Sequence, residues 1–394
     1  MNTDGLTDES LIRFVQEHDN DDPARLLLSA QRWPDIDVRR AARTIGARRT
    51  MREKVPAWHA HPGLDYPSSL SLEQCSSEET ARYKQAFVPE GARLADLTGG
   101  LGVDCWALGQ QAAEVHYCER DPALCAAARH NFPLLGSGNI TVHEGDGVAW
   151  LRTQTERFDL LYLDPARRDD AARRVYDIAG CEPNLLEIKD LLLEHAGRVL
   201  VKISPMADIS RTLAQLPEIR ELHVVEAEGE VKELLLLLEP GVPAAAPTIV
   251  AAAGPIRFAF TPEEEPAAEV RYAPQVGSWL FQPSKALRKA GAFRLLSQRS
   301  GLAKLAPSTH LYTGDAPVGG FPGKAFSVEQ VLPWGNASIK ALRRDFDRLE
   351  MTALNFPFDT EALRRRLGIA GGGDRHLFAT TLSDNNKILI LCKP

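Results

Sequence analysis

The spacing of hydrophobic positions changes twice along the chain. Residues 1 to about 90 carry apolar side chains at helical spacing in ESLIRFVQEH, PARLLLSAQRW and VRRAARTIGARR, punctuated by Pro34, Pro56, Pro62 and Pro67. From Arg93 the runs become short and β-rich: ARLADLT, EVHYCE, ITVHEG, FDLLYLD and GRVLVKIS. Helical segments at 101–111, 121–131, 145–152 and 183–195 separate them, and another follows at 206–215. Strands alternating with helices predict a parallel sheet covered on both faces. RELHVVEAEG and VKELLLLLE then read as a closing hairpin, which makes the last strand antiparallel.

Residues 239–247, EPGVPAAAP, have the composition of a linker. Beyond them come IVAAA and IRFAF, then a helix predicted from about Pro283 to Ser300. The end of the chain reads strand (FSVEQVLP), helix (337–346), strand (MTALNFP), helix (359–367), then strands HLFATTL and KILILC, a small βαβαββ unit. The expected organisation is an N-terminal helical region (1–90), a Rossmann-like α/β domain (91–240), a linker and connecting α/β region (241–320) and an α+β domain (321–394).

Composition adds a class and a compartment. The 394 residues are 44% hydrophobic and 25% charged, the profile of a well-cored globular protein. The opening MNTDGLTDES predicts no secretory signal, and apolar runs such as Leu234 to Leu238 are far shorter than a membrane span. Six cysteines without a C-x-x-C pair support neither a zinc site nor a disulfide framework, so the expectation is a cytoplasmic protein with reduced thiols and no metal. The net charge of −7 conceals a split. Residues 271–394 hold 18 Lys+Arg against 9 Asp+Glu, while the remaining 270 hold 28 against 44. An excess of +9 at one end points to an anionic partner there, through Lys285, Arg288, Lys289 and Arg294 and through Lys340, Arg343, Arg344 and Arg364 to Arg366. A further basic run, Arg48, Arg49, Arg52 and Lys54, reads as a solvated helix face or a phosphate contact.

The candidate chemistry lies at the ends of the predicted parallel strands. Ala95-Asp96-Leu97-Thr98-Gly99-Gly100-Leu101-Gly102 closes the first strand and opens a helix. Glycines there let main chain approach a ligand, and the helix N-terminus offers unpaired N–H groups to a carboxylate. A nicotinamide fingerprint would need a small third residue where Cys105 stands, so the site tilts away from a dinucleotide. Glu119, at the end of the second strand, is placed to accept both hydroxyls of a ribose; Asp121 with Pro122 looks like a helix cap. Asp146 follows the third strand, where a carboxylate can take an adenine amino group, cap a helix, or do both. The fourth strand ends in Asp164-Pro165-Ala166-Arg167-Arg168, where a group in transfer would meet its acceptor.

These motifs resemble those of the class I S-adenosylmethionine (SAM)-dependent methyltransferases, whose seven-stranded sheet has this layout of five parallel strands and a hairpin. Leu72 to Ala81, Asp96 to Asp104, Lys202-Ile203-Ser204-Pro205-Met206 and Gly372-Gly373-Asp374 with Leu377 to Thr381 resemble, more narrowly, a bacterial family with a THUMP-like C-terminal domain. The resemblance implies SAM as cofactor, held by Asp96, Thr98, Gly100, Gly102, Glu119 and Asp146. It implies catalytic roles for Asp164, Pro165 and Arg167, and base methylation of RNA as the reaction. Gln74-Cys75-Ser76-Ser77 resembles the segment before the first strand in trimethylguanosine synthase-like enzymes, which places Gln74 and Ser76 beside the methionine end of SAM; an ordinary capping box fits the same residues. One departure stands out: Ala166 and Arg167 occupy positions where amino-group methyltransferases carry proline and an aromatic ring. Arg167 could stack or bind phosphate in place of the ring. Cys181 reads as a buried structural thiol rather than the nucleophile of carbon-5 methylation. Methylation of a small molecule or protein, and a SAM- or RNA-binding module without catalysis, are the alternatives.

Overall fold

A computed structural model describes residues 9–167, 178–241 and 246–394 of the chain. The chain folds as two compact units, Met1–Arg220 with Leu234–Ala244 and Glu221–Glu233 with Ala245–Pro394. Part of the 239–247 linker reading, residues 242–245, lies outside the described residues.

In the first unit, helices Glu9–Glu17, Pro23–Leu28 and Val38–Lys54 bury Leu11, Phe14, Val15, Leu26, Val38, Ala41 and Ile45 against one another. The basic run at the end of the long helix, read as a solvated face or a phosphate contact, has internal partners. Arg48, buried, and Arg52 both pair with Asp19. Arg49 donates to the Asp21 carbonyl, and Lys54 to the carbonyls of Leu72 and Glu73. The run clamps the N-terminal helices to the segment that leads into the sheet.

The sheet of this unit is built from β1 (Arg93–Asp96), β2 (Glu114–Glu119), β3 (Ile140–Glu144) and β4 (Phe158–Leu163). A short ribbon, β5 (Ala166–Arg167) with β6 (Cys181–Glu182), precedes β7 (Ala196–Ile203). The hairpin arms β8 (Ile219–Ala227) and β9 (Glu230–Leu238) follow. Within the unit the order is β9-β7-β4-β1-β2-β3. β7 through β3 run parallel, and Leu234–Leu238 of β9 runs antiparallel to β7, as the hydrophobic pattern predicted. Leu160 to Leu163 and Val199 to Val201 are buried without interruption, the mark of strands covered on both faces. Chain order reverses between β1 and β4, so their carboxyl ends flank the crevice where open α/β sheets bind ligands. Leu163 pairs with Val201, so Asp164, the first residue past β4, stands beside Lys202 of β7.

In the second unit, β10 (Thr248–Ala253) runs parallel to β8 and turns through Gly254, at φ 54°, into antiparallel β11 (Ile256–Phe260). Its second sheet comprises β12 (Trp279–Pro283), β13 (Ala303–Ala306), β14 (Thr309–Gly314), β15 (Gly323–Pro333), β16 (Glu350–Leu354), β17 (His376–Thr381) and β18 (Lys387–Lys393). The order is β13-β14-β12-β15-β18-β17-β16. The βαβαββ reading matches β15 to β18 with helices Asn336–Asp345 and Thr360–Leu367. The helix predicted from Pro283 to Ser300 is two helices, Lys285–Ala290 and Phe293–Ser300, because Gly291 sits at φ 86° and ends the first with a left-handed cap. Among the described residues no helix is long and apolar enough to cross a membrane.

Candidate active site

The glycine loop that joins β1 to helix Val103–Gly109 is shaped by contacts a larger residue could not make. A Cβ on Gly99 would come within 2.2 Å of the Tyr117 ring, and one on Gly102 within 2.9 Å of Phe132. Gly100 and Gly102 have φ of 57° and 91°, where an L side chain is strained. The Tyr117 hydroxyl donates to the Gly100 carbonyl at 2.5 Å and fixes the loop from below. A Cβ on Gly100 would meet only the Thr98 carbonyl, at 3.9 Å, so this bend borders open space that a ligand can fill.

Around the bend stand the acidic residues read from the sequence. Glu119 ends β2 and accepts the N–H of Gly100 through one oxygen and of Asp121 through the other, both at 2.8 Å. These bonds aim its half-buried carboxylate at the loop, and each oxygen keeps a lone pair for a further donor. Asp121 accepts from Ala123 N–H and caps helix Pro122–Leu134. Asp146 caps helix Gly147–Leu151 through Ala149 N–H at 2.7 Å and pairs with Arg120. Burial works against its charge, but the two hydrogen bonds prevail and hold its carboxyl below the usual range. Arg120 also pairs with Glu182 of the β5–β6 ribbon at 2.9 Å, so one guanidinium ties the end of β3 to the ribbon.

Asp96 is buried. Its Oδ1 accepts the Thr98 N–H at 3.0 Å, while its Oδ2 has no partner. Burial, reinforced by the nearby charges of Asp104, Asp164 and Glu119, pushes this carboxyl well above the ordinary range. This orphaned carboxyl oxygen lies at the foot of the glycine loop.

At the exit of β4, Thr98 Oγ1 accepts the backbone N–H of Asp164 at 2.6 Å and binds the glycine loop to that strand end. Lys202 Nζ donates to Asp164 Oδ2 at 2.5 Å. Behind this pair lies a second network. Asp104 Oδ2 accepts from Ser76 Oγ (2.8 Å) and the Tyr162 hydroxyl (2.7 Å), and Asp104 Oδ1 faces Lys84 Nζ at 3.2 Å. Lys84 is fully buried. Burial opposes charge on Asp104, but Lys84 and Lys202 outweigh it and keep the carboxyl below its usual range. Burial raises the Cys75 thiol, which feels Lys54, Asp104 and Lys202.

Asp96, Thr98, Gly100, Gly102, Glu119 and Asp146 thus line the carboxyl edge of the sheet, with Asp164 beside Thr98. Ser76 enters through Asp104, and Ser77 caps helix Glu78–Lys84 as the capping-box reading had it. Gln74 is exposed at the end of helix Ser69–Gln74. Pro165 is half-buried. The backbone of Arg167 pairs with Cys181; its side chain and Arg168 lie outside the described residues, so the stacking and phosphate roles read for Arg167 do too. Cys181 is half-buried in the ribbon rather than buried, a correction to the reading of a core thiol. Sequence reasoning assigned no role to Lys84, Asp104, Tyr162 and Arg120, and took Lys202 only as part of a motif. The available signal was a lysine ending the apolar run Val199-Leu200-Val201, where a cation is out of place unless it has work at the strand end.

Residues 323–394 match the family model described as THUMP domain-like, and residues 279–322 match one described as a ferredoxin-like domain. A crystal structure from Porphyromonas gingivalis W83, described as that of a candidate methyltransferase, is 38% identical. It covers 98% of this chain and 97% of its own, with a TM-score of 0.88. A Mycobacterium tuberculosis protein described as an uncharacterised S-adenosylmethionine-dependent methyltransferase is 27% identical over 309 residues, 76% of this chain and 80% of that protein. A protein-L-isoaspartate O-methyltransferase of Koribacter versatilis is 32% identical over 157 residues, 38% of this chain and 68% of that protein.

Proposed function

We propose that this chain, which belongs to the class I SAM-dependent methyltransferases with a THUMP-like C-terminal domain, delivers its methyl group to RNA. SAM, when bound, supplies a methyl group on a sulfonium that departs as a neutral thioether. The chain's part is to hold donor and acceptor in line and to manage the acceptor's proton. In this reading Glu119 accepts the ribose hydroxyls, Asp146 receives the adenine amino group beside its cap, and Gly100 and Gly102 bring main chain against the cofactor. Asp96, Thr98, Ser76 and Gln74 serve the methionine end. Asp164, Pro165 and Arg167 face the acceptor.

The observation that carries RNA as substrate is the THUMP domain-like match over residues 323–394, because THUMP domains are associated with RNA modification. Charge supports it: the +9 excess of residues 271–394 suits a polyanion. Lys340, Arg365 and Arg366 are exposed, and Arg366 lies over the rings of Trp334 and Phe358. Other cations of the basic clusters have internal work. Arg343 donates to the carbonyls of Leu367 and Arg366, Arg344 pairs with Asp345, Arg364 with Glu361, and Lys285 with Glu230. The phosphate-binding surface is therefore smaller than the sequence clusters implied. Six cysteines, none of them in a disulfide, support a cytoplasmic location.

The test offers the full chain tritiated SAM with RNA, protein and small metabolites from cells deleted for its gene. Label is expected in ribonuclease-sensitive material, and Asp164→Ala is expected to abolish it. Label confined to protein or to small molecules, or no label in any fraction, refutes the reading.

A further inference from the structure

We propose that the acceptor is a hydroxyl, the ribose 2′-hydroxyl of RNA, and that Lys202 is a catalytic residue acting beside Asp164. The inference rests on the RNA reading above and goes beyond it by naming the atom. Its ground is the exit of β4 and β7. Parallel register sets Asp164, just past the end of β4, beside Lys202 near the end of β7, and their side chains join at 2.5 Å. Asp164 is also tied through its backbone to Thr98 in the cofactor loop, so the pair stands at the edge where donor meets acceptor. Lys202 is largely buried and Asp164 more open, so the carboxylate faces the approach and the ammonium stands behind and beside it.

A cation at that point discriminates between acceptors. An exocyclic amine of a base becomes positively charged as carbon bonds to nitrogen, and a neighbouring ammonium opposes that charge. A hydroxyl does the reverse: as it gives up its proton, negative charge gathers on oxygen, and the ammonium stabilises it. The sequence agrees. The ring that would stack on a base at this strand end is absent, with Ala166 and Arg167 in its place. The 2′-hydroxyl is the acceptor that every nucleotide of RNA offers and DNA lacks. In the step, a lone pair of the hydroxyl oxygen forms the bond to the methyl carbon while the carbon–sulfur pair returns to sulfur. The O–H pair stays on oxygen, and the proton passes to the Asp164 carboxylate and from there to water. Lys202 keeps its own proton and holds the oxygen through the transfer; no oxidant or second cofactor is needed.

The labelled RNA is hydrolysed in alkali and sized. Methylation at the 2′-oxygen removes the nucleophile that cleaves the adjacent phosphodiester, so label should run as dinucleotide. Label running as mononucleotide overturns the hydroxyl assignment while leaving RNA as substrate. No label in RNA overturns both. For the lysine, Lys202→Met should lower transfer about 100-fold or more, as loss of a group that stabilises a developing oxyanion does, while S-adenosylhomocysteine affinity by calorimetry stays within about threefold. Lys202→Arg, which keeps the charge, should recover part of the rate. Full activity in Lys202→Met, or equal loss of rate and of cofactor binding in both variants, overturns the catalytic role.

Discussion

Replacing Lys84 by methionine tests the buried network behind the active site. Lys84 has no exposed surface, and its ammonium lies 3.2 Å from Asp104, whose side chain is 11% exposed. Methionine fills similar space but leaves a carboxylate in the interior with the hydroxyls of Ser76 and Tyr162 and the field of Lys202 for support. Breaking a buried pair on one side costs about 3–5 kcal/mol. The remaining hydroxyls and Lys202 put the expectation near the lower end, about 3 kcal/mol, in equilibrium urea unfolding followed by circular dichroism at pH 7.5. Asp104→Asn in the same background removes the stranded charge. The double variant should be more stable than the sum of the singles by about 2 kcal/mol. The pH dependence separates this from lost packing. In the native protein Asp104 is held below its unfolded value, so its contribution is constant from pH 8 to 5 and is lost only at more acid pH. Without Lys84, burial raises that carboxyl; the folded form then binds the extra proton, and the variant gains stability as pH falls. A deficit below about 1 kcal/mol that does not change between pH 8 and 5 would refute the reasoning.

The remaining predictions concern the loop, the ribose site and the second unit. Gly99→Ala forces a methyl to 2.2 Å from a Tyr117 ring that is fully buried and bonded to the loop, so stability should drop about 1–3 kcal/mol and SAM affinity should fall with it; calorimetry giving native affinity would contradict this. Glu119→Gln leaves one oxygen where two each accept a backbone N–H, and should weaken S-adenosylhomocysteine binding by about 1.5–3 kcal/mol with Vmax little changed at saturation. His376 lies flat on Phe378, and burial, helped by Lys324, pushes its imidazole down to about 4. The unfolded chain takes up the proton first, so the second unit should lose about 2 kcal/mol as pH falls from 6.5 towards 4, and His376→Gln should flatten that loss in urea titrations.

What could be read from the sequence followed from period and punctuation. The five parallel strands were legible because each is a short apolar run bounded by a helix-period segment, and the acidic residues because each ends such a run. The β12–β14 strands were not, since Pro283, Pro307 and Gly314 break their pattern into pieces too short to carry a period. The break at Gly291 shows the same limit: helical spacing continues across it, and only the left-handed backbone angle reveals two helices. At the candidate site, the residues at the ends of their own strands were named from the sequence. Partners met across the fold were missed. Lys84 lies 20 residues before Asp104, on a helix whose basic positions look solvated, and no local rule predicts that its ammonium is buried against a carboxylate at the start of another helix. The burial of Arg48 was missed for the same reason, its partner Asp19 lying 29 residues back. A buried cation is set by tertiary pairing, and a sequence presents it in the same letters as a solvated one. Lys202 differs from both: it follows three buried strand residues and must emerge beside the residue in register with it. Parallel pairing of β4 and β7 alone would have placed it next to Asp164, so this juxtaposition was within reach of the sequence once strand order was known.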